Sequence, residues 1–114
     1  MTDFALKFTN QATFEGITRV VYEMLSGSTL NEGDSTPRQG LSLTGTHWFV
    51  DEIGLFYDEN SQPMDGWYAN LRWNGGDQEP PSNIPGMEII WRSDAVDDEG
   101  NSIPLPQWWN RIIA

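Results

Sequence analysis

His47 is the only histidine in the chain, and a lone imidazole can serve as a general base near neutral pH. Nothing around it completes that chemistry. No serine nucleophile motif accompanies it, and the chain has no cysteine. Paired carboxylates can cleave glycosidic bonds, one as acid and one as base or nucleophile. Asp51, Glu52, Asp58, Glu59 and Asp65 suffice in number, yet their spacing singles out no pair. Asp97, Asp98, Glu99 and Asn101, beside Gly100, offer the oxygen ligands that calcium takes. The twelve-residue calcium-loop pattern is not met, so the plainer reading is a solvated acidic turn. Gly75-Gly76 fits no phosphate-binding glycine pattern, and Asp77 follows where positive potential would be needed. The expectation is a non-enzyme with no catalytic residue, no metal site and no cofactor.

The aromatic residues are more telling. Six tryptophans in 114 residues is high for so small a core. Trp67 and Trp73 read as core. Trp108 and Trp109 are adjacent, so on an extended chain their rings face opposite ways, and one stands exposed unless another surface covers it. Tryptophan concentrates in the energetic centres of interfaces. With Ile112 and Ile113 the pair forms an apolar tail that looks built to dock. The expected partner contacts are Trp108, Trp109, Ile112 and Ile113, with Trp91 as a secondary one. The competing reading is that the tail packs on its own sheet. A third is that the rings stack on sugars.

The elements that must position these residues are organised around residues 46–73, THWFVDEIGLFYDENSQPMDGWYANLRW. In its second half Trp67, Ala69, Leu71 and Trp73 alternate with Tyr68, Asn70 and Arg72, the period of a strand with one buried face. In its first half the run Trp48-Phe49-Val50 is followed by alternating Ile53, Leu55 and Tyr57. A bulge between Asp51 and Gly54 reconciles the two parts. An antiparallel pair with a long polar loop at 58–66 is expected.

Before this pair, Phe4, Leu6 and Phe8 predict a strand over 3–8. Asn10 can cap the helix that follows, its side chain accepting a first-turn N–H. Phe14, Ile17, Val20, Val21, Met24 and Leu25 form its apolar stripe, and Gly27 stops it. Gly16 weakens this helix and reads as a point of close approach to the sheet. Leu41 and Leu43 predict the start of another strand, and Met87 to Arg92 one more. Residues 28–40 and 74–86 are long Gly/Pro/Ser-rich loops, of the length that is usually functional or disordered. Residues 103–114 form an apolar tail in which Pro104 and Pro106 oppose both helix and central strand. No internal repeat is visible. The fold class is α+β, in β-α-β-β-β order: a mainly antiparallel sheet of four or five strands with one helix on one face. Its other face is left to water or a partner.

The chain makes one domain, 1–114. The N-terminus carries no basic-then-apolar signal, so export by a signal peptide is not expected, and no apolar stretch is long enough to span a bilayer. Seventeen acidic against six basic residues give a net charge of −11. Such a surface repels a phosphate backbone, so direct nucleic-acid binding is disfavoured. Acid on this scale keeps a protein soluble; it also suits a mimic of nucleic acid.

Residues 56–60 (FYDEN) and 64–72 (MDGWYANLR) resemble small proteins of tailed-phage and prophage structural modules. There a turn rich in aspartate, glycine or asparagine leads into a strand of the form Gly-Trp-(His or Tyr)-x-Asn-aliphatic-Arg. The likeness is sharpest in GWYANLR, residues 66–72. A proline-rich segment and a short apolar C-terminal segment follow in those proteins, as 80–85 and 104–114 do here. The acidic insert 94–102 and the double tryptophan depart from the pattern. The resemblance implies a phage context, in a virion or the host cytoplasm, and carries over no catalytic residue. The leading expectation is a tail-associated or accessory structural component acting by protein–protein contact, with other phage subunits or with copies of itself. The alternatives are an acidic inhibitor of a host nucleic-acid enzyme, of anti-restriction or anti-CRISPR type, and a small glycan-binding module.

Overall fold

The computed structural model describes residues 1–75 and 79–110. Its elements are β1 (Thr2–Phe8), α1 (Gln11–Ser26), β2 (Gln39–Leu41), β3 (His47–Gly54), β4 (Trp67–Asn74) and β5 (Met87–Arg92). The strands form one antiparallel sheet in the order β2-β3-β4-β1-β5, with α1 on one face. The domain is α+β, as its patterning predicts.

Alternation in β1 and β4 fixes the two faces. Phe4 lies opposite Leu71 and Leu6 opposite Ala69, all toward the helix. Ala5 lies opposite Asn70 and Lys7 opposite Tyr68, toward the outer face. Trp48, across from Trp73, and the half-buried Val50 extend the helix-side core. Gly54, at φ 89°, carries the bulge that shifts the β3–β4 register.

That bulge also corrects the expected phase beyond it. One extra residue flips the side chains that follow. Phe56 is therefore the buried residue, while Leu55 and Tyr57 are exposed.

The helix begins where Asn10 Oδ1 accepts the Thr13 N–H at 2.8 Å and ends at Gly27, whose N–H bonds the Glu23 carbonyl. Phe14 and Leu25 are buried, with Ile17, Val21 and Tyr22 packed around them. Val20 and Met24, expected in the stripe, are exposed. At about 100° per residue they sit roughly 120° and 80° from the Phe14–Val21–Leu25 line. Gly16 is a second correction. A methyl group there would meet nothing within 4 Å, so it serves no close approach. The close approach falls at Gly40, where a Cβ would lie 2.5 Å from the Trp48 ring.

Two expectations about the connections also change. Leu43 is not in a strand; it is exposed in a tight turn closed by Ser42 and Thr46. The loop over 28–40 is pinned. The Arg19 guanidinium donates to the carbonyls of Leu30, Asn31 and Asp34 at 2.8–3.2 Å, and Val50 N–H bonds the Arg38 carbonyl.

Candidate functional site

Asn70 is the centre of the outer face. It is buried in the middle of β4, and its partner across the ladder is Ala5. No side chain larger than a methyl group stands there, so the backbone of β1 and β4 floors a shallow cradle. Tyr68 and Phe56 wall it on one side, their rings 5.0 Å apart and edge to face. Ile90 and Trp91, beside a bulge in β5, border it on the other.

Residues 103–110 lie in this cradle. The tail enters where the Trp91 indole N–H bonds the Ile103 carbonyl at 2.6 Å. It ends where the Trp109 indole N–H bonds Asn70 Oδ1 at 2.9 Å. Asn70 also donates from Nδ2 to Asp51 at 3.2 Å. The amide thus aims its oxygen at the indole, a specific acceptor in an otherwise apolar seat.

Of the five expected contact residues, the structure brings three to this place. Trp109 is only 3% exposed and belongs to the core of its own subunit. Trp108 is 41% exposed. Trp91 is half-buried at the cradle's edge. Ile112 and Ile113 lie outside the described residues. The expectation that the two adjacent indoles face opposite ways is corrected. The chain turns here, with the Trp109 N–H bonded to the Pro106 carbonyl. Both rings therefore reach the same pair: Trp109 lies 4.9 Å from Phe56 and 5.8 Å from Tyr68, Trp108 5.7 and 6.0 Å. These separations are those of favourable edge-on and tilted aromatic pairs. The outer face is likewise not left bare: its β4-β1-β5 half is covered by the chain's own tail.

The carboxylates do structural work. Glu52 accepts from Arg38 at 2.8 Å and from the Trp67 indole at 2.9 Å, on the helix side, while Asp51 faces Asn70 on the other. Asp58 Oδ1 accepts the N–H groups of Asn60 and Gln62; Asp97 Oδ1 accepts those of Glu99 and Asn101. These are two copies of one turn. Each is closed by a bridge, Tyr57 to Pro63 and Val96 to Ser102, and each has one left-handed residue, Ser61 in the first and Gly100 in the second. The repeat was readable as aspartate followed four residues later by a side-chain amide. His47 is exposed at the start of β3. Among the described residues no three histidines or carboxylates gather as a metal site would require.

Charge is distributed unevenly around this frame. The five described cations each sit beside a carboxylate: Lys7 by Asp65, Arg19 by Glu23, Arg38 by Glu52, Arg72 by Asp3 and Arg92 by Asp94. The hydrogen bond from Arg92 holds the Asp94 carboxyl below its usual range. Burial, with Asp65 and Glu88 nearby, pushes the Tyr68 phenol up; its hydroxyl donates to the Asp65 carbonyl.

In comparisons with models of protein families, with curated protein sequences and with solved structures, nothing matches the chain.

Proposed function

We propose that this chain is a non-enzymatic contact protein, a tail-associated or accessory structural component of a phage or prophage. The observation that carries the reading is Trp108. The residue is 41% exposed at the margin of a cluster of edge-on and tilted rings whose other members are buried. A large ring already packed on its neighbours and left half in water loses less entropy when a partner covers it than a free side chain does, and such rings dominate interface energies. The phage context rests on the likeness of residues 66–72 to phage structural modules.

The test is capture with wild-type and Trp108→Glu baits from cells producing phage virions. The reading expects virion subunits to be retained by the wild type and lost at least about tenfold by the variant, the scale of a hot-spot residue. The same subunits on both baits, with both proteins folded, would overturn it.

One observation favours a second reading, an acidic inhibitor of a nucleic-acid enzyme. With every described cation matched to a carboxylate, the outward field comes from unbalanced acid, as a polyanion mimic requires. Competition with duplex DNA for a nuclease tests it; activity unchanged at saturating protein rules it out.

A further inference from the structure

We infer that residues 103–110 form an exchangeable strap, and that the cradle on β1 and β4 receives the same segment from a second copy of the chain. This inference rests on the reading of the protein as an assembling contact component.

The first ground is how the strap is held. Among the described residues, no backbone-to-backbone hydrogen bond joins 104–110 to the sheet; the one such bond within the strap is local, Trp109 to Pro106. Pro104 and Pro106 have no N–H to offer a ladder. The described anchors are two indole hydrogen bonds, the bond from the Ile103 N–H to the Ala95 carbonyl where the strap begins, and the packing of Leu105, Trp108 and Trp109. A covering of this kind can leave as a unit without unzipping a strand.

The second ground is what remains when it leaves. Ala5, Phe56, Tyr68 and Asn70 are buried in a cluster or network that includes Trp109. Emptying the seat exposes three apolar side chains and removes an indole from the Asn70 oxygen. The occupant that restores all of these contacts is already known, because the strap itself shows the fit. A second copy's strap makes the identical set, so contact energy is conserved and local concentration decides between closed and exchanged forms. In an assembly, where copies are held side by side, that balance tips toward exchange.

Charge gives the exchange a signature. Each copy carries −11, so two copies repel at long range, and added salt weakens that repulsion. Exchange between copies therefore rises with ionic strength. A basic partner in the same seat would show the reverse dependence.

The experiment uses two full-length variants. Trp109→Ala has an intact cradle and a defective strap. Ala5→Leu has an intact strap and a filled cradle. Each alone should run as a monomer of 12.9 kDa. The equimolar mixture should give a species of twice that mass by sedimentation, more abundant at high salt. A mixture that stays monomeric while both variants are folded overturns the proposal. Where Ala5→Leu fails to fold, wild type and Trp109→Ala are each refolded from denaturant at high protein concentration. A trapped dimer from the wild type alone supports the strap; equal dimer from both, or none from either, overturns it. Binding of a strap peptide with an affinity that falls as salt rises also counts against self-exchange. Neither variant substitutes Trp108, so a mixture that stays monomeric leaves the Trp108 contact reading standing, and failure of that reading shows separately, in the capture experiment.

Discussion

The sheet is closed on its two faces by different kinds of chain. On one face sixteen residues of α1 satisfy their own backbone and present Phe14, Val21 and Leu25 in a line. On the other, residues 103–110 form no helix or strand, and their described hold comes from two indole hydrogen bonds and the packing of Leu105, Trp108 and Trp109. The helix side brings periodic order and is fixed locally in sequence, next to β1. The strap side arrives from the far end of the chain, and Trp109 is its one buried ring. The difference teaches that a sheet face can be covered either by a periodic element or by an irregular one held by a few large side chains. The helix is built into the fold, and the strap is laid onto it.

The largest effects should come from emptying the two cores in parallel. Phe14→Ala and Trp109→Ala each remove a ring that is buried nearly completely, and each should cost about 3–5 kcal/mol in chemical denaturation. The comparison sharpens in the slopes. Phe14→Ala should keep the wild-type denaturant dependence, whereas Trp109→Ala should leave a folded sheet with a loosened strap and a smaller slope. A cost below about 1 kcal/mol for Trp109→Ala would break the comparison by removing the strap from the core altogether.

Next, Trp109→Phe keeps a ring and deletes the bond to Asn70. It should cost about 1–2 kcal/mol from the hydrogen bond and lost volume, read by the same denaturation. Gly16→Ala acts on the helix side alone. With open space at its Cβ position, it should raise stability by about 0.5–1 kcal/mol. On the strap side, Gly100→Ser in the turn before the strap should cost about 0.5–1 kcal/mol, since φ 82° suits glycine. Ser61 at φ 61° in the twin turn shows that serine is accommodated there, and Ser61→Gly should give the opposite sign.

The smallest effect is set by pH. The Asp94 carboxyl is held below its usual range, first by the hydrogen bond from Arg92. A lowered folded-state value contributes stability above the unfolded value, near pH 4, that is lost as pH falls through the folded one. The pair is half-exposed, so Asp94→Asn should cost no more than about 0.5 kcal/mol. It should also flatten the acid limb of a pH–stability curve below about pH 4.

The same contrast governs how much could be read in advance. Alternation in Trp67 to Trp73 predicted both faces of β4, Asn10 and Gly27 marked the helix ends, and Gly54 marked the bulge, because each signal is local. The phase beyond Gly54 is not legible in advance, because the bulge moves the alternation by one residue, which composition does not reveal. Val20 and Met24 fall outside the buried stripe because apolar type alone does not fix angular position on a helix. The cradle was not legible. Nothing in the sequence says that Asn70, one polar residue on an alternating strand, turns its oxygen toward an indole 39 positions away. The turn after Pro106 that brings both tryptophans onto Phe56 and Tyr68 is set by packing across the sheet.

Lys7 is the only lysine in the sequence, and it stands on the outer face opposite Tyr68, its ammonium 3.8 Å from Asp65. Amine-directed reagents therefore find a single side-chain target on this molecule, close to the rim of the cradle. A dye or photoreactive group placed there would watch the aromatic seat fill and empty in real time, without any engineered attachment point.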